Sequence, residues 1–209
     1  MDISIPSTAS RLVGSFGYFL EPIILTSALT YVGYSSNFIV TEYGVISGFV
    51  MPLLLLPSFF TLAISQALLP IISKATSTKH YDYAKKKLKQ AIGISLLIGV
   101  PASLLLAIFP EFFLELIYNT HEGASYMRFL APICILQYLE APLSACLDAM
   151  GLTKLGLKAT IIGTLIRTIF LLIFSLLKIG MWGLIFSTSL NVIFTTLYNL
   201  YQVKTSLKK

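Results

Sequence analysis

Six long apolar stretches take up most of this chain, and three ionisable residues, Glu21, Glu140 and Arg167, lie inside them. A charge at the centre of a bilayer costs roughly 2.5–3.5 kcal/mol on insertion scales, so it is seldom placed there without a partner or a water-filled cavity. A helix crossing the hydrocarbon core needs about 20 apolar residues. The spans read as Leu12 to Val32, Gly44 to Ile72, Ala91 to Ile108, Ala124 to Met150, Ala159 to Leu177 and Met181 to Tyr201. A membrane β-barrel would instead show short segments of alternating polarity, and runs such as Leu53-Leu54-Leu55-Leu56 do not alternate. Charged residues are only 11% of the 209 and mean hydropathy is +0.84, too little charge to clothe a soluble domain. The expected fold class is an all-α membrane protein: one six-helix transmembrane bundle over residues 1–209.

The N-terminus has no basic region and carries Asp2, so it does not read as a signal peptide. Charge gives the topology. With the N-terminus in the cytoplasm, twelve of the fifteen basic residues fall inside: Arg11, Lys74, Lys79, Lys85, Lys86, Lys87, Lys89, Lys154, Lys158, Lys204, Lys208 and Lys209. Glu42, Glu111, Glu115 and Glu122 fall outside. The positive-inside rule therefore puts both termini in the cytoplasm of a multi-pass cell-membrane protein. Segment 73–90 is the one sizeable polar stretch. Tyr81, Ala84 and Leu88 lie on one face among lysines, which predicts a short amphipathic helix on the inner leaflet, contacting membrane lipids or serving only to fix topology. Asp82 and Lys86 are spaced to pair along it. Outside, the stripe Phe112, Phe113, Leu116 and Ile117 predicts an interfacial turn of helix.

Cys134 and Cys146, twelve residues apart on one helix, are too far apart to bridge. His80 and His121 fall in opposite loops, and no metal-ligand spacing is present. No enzyme activity, cofactor, metal or nucleic-acid partner is expected.

Depth can be counted through the turn centred near Lys154. Glu140 lies fourteen residues before it and Arg167 thirteen after, so the two sit at nearly equal depth and are expected to pair. Glu21, about nine residues into its span, is also near mid-depth and has no evident partner, which suggests a cavity or a coupling role. Pro22, Pro52, Pro57, Pro70, Pro101, Pro132 and Pro142 all fall in the first four spans, none in the last two. Four bendable helices against two straight ones suit a chain that changes shape. Mobile helices around a polar interior point first to transport.

Certain runs are familiar. Gly14-Ser15-Phe16 and Phe19-Leu20-Glu21-Pro22-Ile23-Ile24 resemble the seventh helix of the stage V sporulation protein B-like, oligosaccharide flippase family. Tyr43-Gly44-Val45-Ile46-Ser47-Gly48, Pro52-Leu53, Leu56-Pro57-Ser58 and Ala67-Leu68-Leu69-Pro70 resemble its next helix. Leu147-Asp148-Ala149-Met150-Gly151-Leu152-Thr153-Lys154 is similar to the turn before its eleventh, with Asp-Ala-Met departing from the commoner pattern. The family belongs to the multidrug/oligosaccharidyl-lipid/polysaccharide exporter superfamily. The resemblance implies two six-helix bundles, of which this chain would be the C-terminal one: half of a flippase for lipid-linked sugars. It implies a partner bundle, as a separate chain or by self-association; a split gene or a truncated frame would also account for the length. Arg167 and Arg11 are then candidates for a diphosphate headgroup, with Glu21 and Glu140 for substrate contact or coupling. Cation-coupled drug efflux and a non-transporting assembly subunit are the alternatives.

Overall fold

The computed structural model describes residues 4–207; the side chains of residues 4–7 and 11 lie outside that description. The described chain is helical from end to end, with no strand among its residues. The helices are α1 (Ser4–Val32), α2 (Ser36–Val45), a π-helical turn (Ile46–Val50), α3 (Met51–Leu55), α4 (Ser58–Ser77), α5 (Tyr81–Ile108), α6 (Pro110–Tyr118), α7 (Ala124–Ala149), α8 (Thr153–Leu176) and α9 (Trp182–Ser206).

Among the described residues, seven stretches are long and apolar enough to cross a membrane, one more than the sequence suggested. The extra one comes from the second span, which is longer than expected and broken in the middle. It runs from Ser36 to Ser77 and is interrupted at Leu56-Pro57. Proline has no N–H to continue the ladder. Leu56 N–H turns to Leu53 O at 3.3 Å instead, and Phe59 N–H to Leu56 O. Leu56 and Pro57 both keep right-handed helical dihedrals, so the chain bends there without turning back.

The contacts agree. Glu42 meets Tyr126 near one end of α7, Leu54 meets Tyr138 at its middle, and Leu68 and Ile72 share a core with Leu143, Cys146 and Leu147 near the other. The described residues therefore make six traverses. Five other prolines sit inside uninterrupted helices, Pro22 in α1, Pro70 in α4, Pro101 in α5, Pro132 and Pro142 in α7, while Pro52 and Pro110 stand in the first turns of α3 and α6.

The polar segment 73–90 is not a helix of its own. It is divided between the last turn of α4, a turn at Thr78 to His80 and the first turns of α5. The expected apolar stripe is present, but it faces the bundle. Ala84 and Leu88 are buried against Leu68, Ile72 and Ala75, and the stripe continues unbroken through Ala91, Ser95 and Gly99. At about 1.5 Å per residue the 28 residues of α5 are longer than a hydrocarbon core is thick, so its lysine-bearing turns extend past the apolar zone. Asp82 pairs with Lys85 at 3.2 Å, one residue nearer than expected, and is almost fully exposed; such a pair adds little stability. At the opposite, acidic end, the expected interfacial turn is α6. It is tied to α7 by Arg128, which donates to Glu111 at 2.9 Å.

Helix α7 is the centre of the bundle. It packs on α4, α5 and α9, while α8 packs on α1 and α9. Although only a short turn joins α7 to α8, the two scarcely touch. That arrangement decides which mid-depth charges meet.

Candidate functional site

A cavity of about 180 Å³ opens between α1, α7, α8 and α9. Glu21 and Arg167 reach it from α1 and α8, Gln137 and Glu140 from α7, and Asn191 and Thr195 from α9. All three charges line this one space. The turn between α7 and α8 lies at Gly151 rather than near Lys154, so Glu140 is nearer to it than Arg167 is, and the expected pair between them is not formed.

Arg167 forms its ion pair with Glu21, not with Glu140. The reason is the face that α8 presents. Its buried stripe is Ala159, Gly163, Arg167, Leu171 and Ser175. A Cβ on Gly163 would lie 2.5 Å from Asn191 Oδ1, and a Cβ on Gly17 would lie 2.5 Å from Thr164 Cγ2. These two glycines let α8 press against α9 and α1, and Arg167 is held in the seam. Its guanidinium also lies over the Tyr18 ring, 4.6 Å from the centroid. Nε has no partner. Tyr43 donates to Glu21 Oε1 at 3.4 Å from the turn that precedes the π-helical segment. Glu21, expected to be unpartnered, is thus met from two sides.

Glu140 is held by neutral groups. Its Oε1 accepts from Asn199 Nδ2 at 2.6 Å and from Ser144 Oγ at 3.1 Å. Its Oε2 and the Asn199 Oδ1 are both buried without partners. The sequence reading missed Tyr18, Tyr43 and Asn199. Tyr18 was findable, since it stands one turn before Glu21 on the same helix. The side chain of Arg11, the second basic candidate, lies outside what the structure describes. Cys134 and Cys146 are free and buried, as their spacing required. His121 stands 3.9 Å from Glu115 at the exposed acidic end and does not line the cavity.

Six traverses with a charged cavity at mid-depth define a multi-pass membrane protein. The chain belongs to the MatE family, whose description matches residues 18–173. Among curated relatives it is 33% identical over 168 residues to stage V sporulation protein B of Bacillus subtilis (strain 168), covering 80% of this chain and 32% of that protein. It is 30% identical over 152 residues to sporulation protein YkvU of the same organism, covering 73% and 34%. The chain thus spans about a third of the length of these relatives. Its fold is that of a solved structure described as MATE in the bent conformation, with a TM-score of 0.77 at 20% identity over 98% of this chain and 45% of the other.

Proposed function

We propose that this chain supplies one six-helix bundle of a flippase-type transporter for lipid-linked oligosaccharides or cell-wall precursors, working by alternating access against a second bundle. The observation that carries this reading is the buried Glu21–Arg167 pair in the wall of a polar cavity at mid-depth. Charges are placed there at a cost and mark substrate or ion pathways. Transporters of repeated bundles bind substrate near the midplane between the repeats. Arg167 would meet the anionic headgroup, since a guanidinium grips phosphate oxygens with two parallel hydrogen bonds. Glu21 would take part in coupling to a proton or sodium ion. Glu140, tied to Asn199 and Ser144, would support the same wall.

The test uses the chain co-expressed with a complementary six-helix bundle. Glu21→Gln keeps the side-chain shape and removes the charge. We expect lipid-linked sugar translocation to slow by about an order of magnitude, the size of a typical coupling energy. Translocation as fast as the parent's across the working pH range would leave Glu21 a structural residue.

The bundle would sit in the cell membrane with its lysine-rich end, at Lys85, and both termini in the cytoplasm. A Glu122→Cys variant should then react with an impermeant thiol reagent in intact cells. Reaction only after permeabilisation would reverse the orientation.

A further inference from the structure

The ion pair sets a condition on any anion that approaches Arg167. One of its Nη atoms is committed to Glu21 Oε2, its plane rests on Tyr18, and Nε is buried without a partner. Arginine carries five N–H donors and cannot be deprotonated, so a free edge of the guanidinium is available to an acceptor. An anion that takes it, however, comes to stand beside the Glu21 carboxylate in a poorly screened site. Like charges at such a distance repel strongly when water is scarce. Among the described residues, no second cation lines this space to relieve that repulsion. Among the described residues lining this space, α8 presents only Arg167 as a positive charge; α2 presents Tyr43, α7 presents Glu140 and neutral groups, and α9 presents Thr188, Asn191 and Thr195.

We propose that Glu21 and Arg167 form an exchange pair. A cation taken up at Glu21 releases Arg167 to a phosphate-class anion, and each of the two ligands tightens the binding of the other. The inference rests on the reading of Arg167 as the headgroup contact and adds its regulation. Tyr43 holds Glu21 by Oε1, which leaves Oε2 as the atom that exchanges Arg167 for the cation. Tyr18 holds the guanidinium by its face, a contact that does not depend on Glu21. Arg167 therefore keeps its place when the carboxylate lets go. Because binding linkage is reciprocal, anion and cation must be coupled by the same factor in both directions.

The experiment uses the full chain in lipid nanodiscs with a symmetrical diphosphate diester, whose own charge does not change over the working pH range. Calorimetry measures its affinity in acidic and alkaline buffer, and separately with sodium replacing a bulky organic cation at constant ionic strength. Affinity should rise about tenfold in one of these arms, which identifies the cation as a proton or a sodium ion. Inorganic phosphate in place of the diester distinguishes a free anion from a headgroup. Glu21→Gln should bind the diester at the tighter value in every buffer, and Arg167→Gln should not bind it. Should Glu21→Gln fail to fold, the parent supplies the reciprocal measurement: adding diester must draw protons from a weak buffer, or raise sodium affinity. Diester affinity that ignores both acid and sodium, or a Glu21→Gln variant that binds no tighter, overturns the exchange while leaving the headgroup reading intact. No diester binding by the parent in any buffer overturns both.

Discussion

Glu21→Leu is expected to destabilise the bundle more than Arg167→Met, and the two together less than either alone. Both side chains are about nine-tenths buried in a mid-depth seam. Removing one partner of a buried pair leaves an uncompensated charge and costs about 3–5 kcal/mol, whereas replacing both with apolar groups of similar volume is often neutral. The two single variants differ because the orphans differ. A carboxylate left alone can take up a proton and retain its bond from Tyr43. A guanidinium left alone cannot lose its charge and has only the Tyr18 face beside it. Thermal unfolding of the chain in detergent micelles would rank them. A double variant as damaged as the sum of the singles would mean that the pair does not act as a unit. The same cycle between Glu140 and Arg167 should be additive, because Glu140 is held through Oε1 by Asn199 and Ser144 rather than by Arg167 and residues without a shared partner rarely couple.

The contrast between those two cycles shows which part of the site the sequence could disclose. Counting residues from a turn centred near Lys154 sets Glu140 and Arg167 at one depth; the turn itself lies earlier, at Gly151, yet both residues line the cavity. Depth follows from helical rise alone. Facing does not, because it depends on how each helix is rotated by its neighbours. Assuming that consecutive helices pack led to the wrong partner: α8 leaves α7 and lies against α1 and α9. A signal for this was present. Gly14 and Gly17 precede Glu21 at helical spacing, and Thr160, Gly163 and Thr164 precede Arg167 in the same way. Small residues mark the side on which membrane helices approach closely, so each charge ends a small-residue stripe, and those stripes meet. The second span was misjudged for a different reason. Thr41, Glu42 and Tyr43 made its first turns look like loop, although Glu42 is bonded to Tyr126 there. In segment 73–90, Ala84 and Leu88 are covered by protein; periodicity reports that a face is apolar and not whether lipid or protein covers it.

Tyr138 carries the second large effect. It is fully buried at the middle of α7 and its hydroxyl donates to Leu54 O at 2.7 Å, one turn before Pro57. That carbonyl stands at the bend of the second span. Opposite the ring lies α5, where a Cβ on Gly99 would come 2.4 Å from Tyr138 Cδ2. Three helices thus converge on one side chain, and each variant isolates one part of its role. Tyr138→Phe keeps the packing and leaves the Leu54 carbonyl unsatisfied, a loss of about 1–3 kcal/mol. Tyr138→Ala removes the ring as well. Replacing a buried aromatic by alanine costs about 3–5 kcal/mol, and the lower end applies here because packing, rather than transfer from water, holds membrane helices together. Gly99→Leu should be at least as damaging as Tyr138→Ala, since its side chain enters occupied space and forces α5 from α7. Combining Gly99→Leu with Tyr138→Ala should recover part of the loss, because the leucine enters the volume that the ring vacates. Thermal unfolding measures all four variants under one condition. If the double variant loses as much as the two singles summed, Gly99 and the Tyr138 ring are not packing partners.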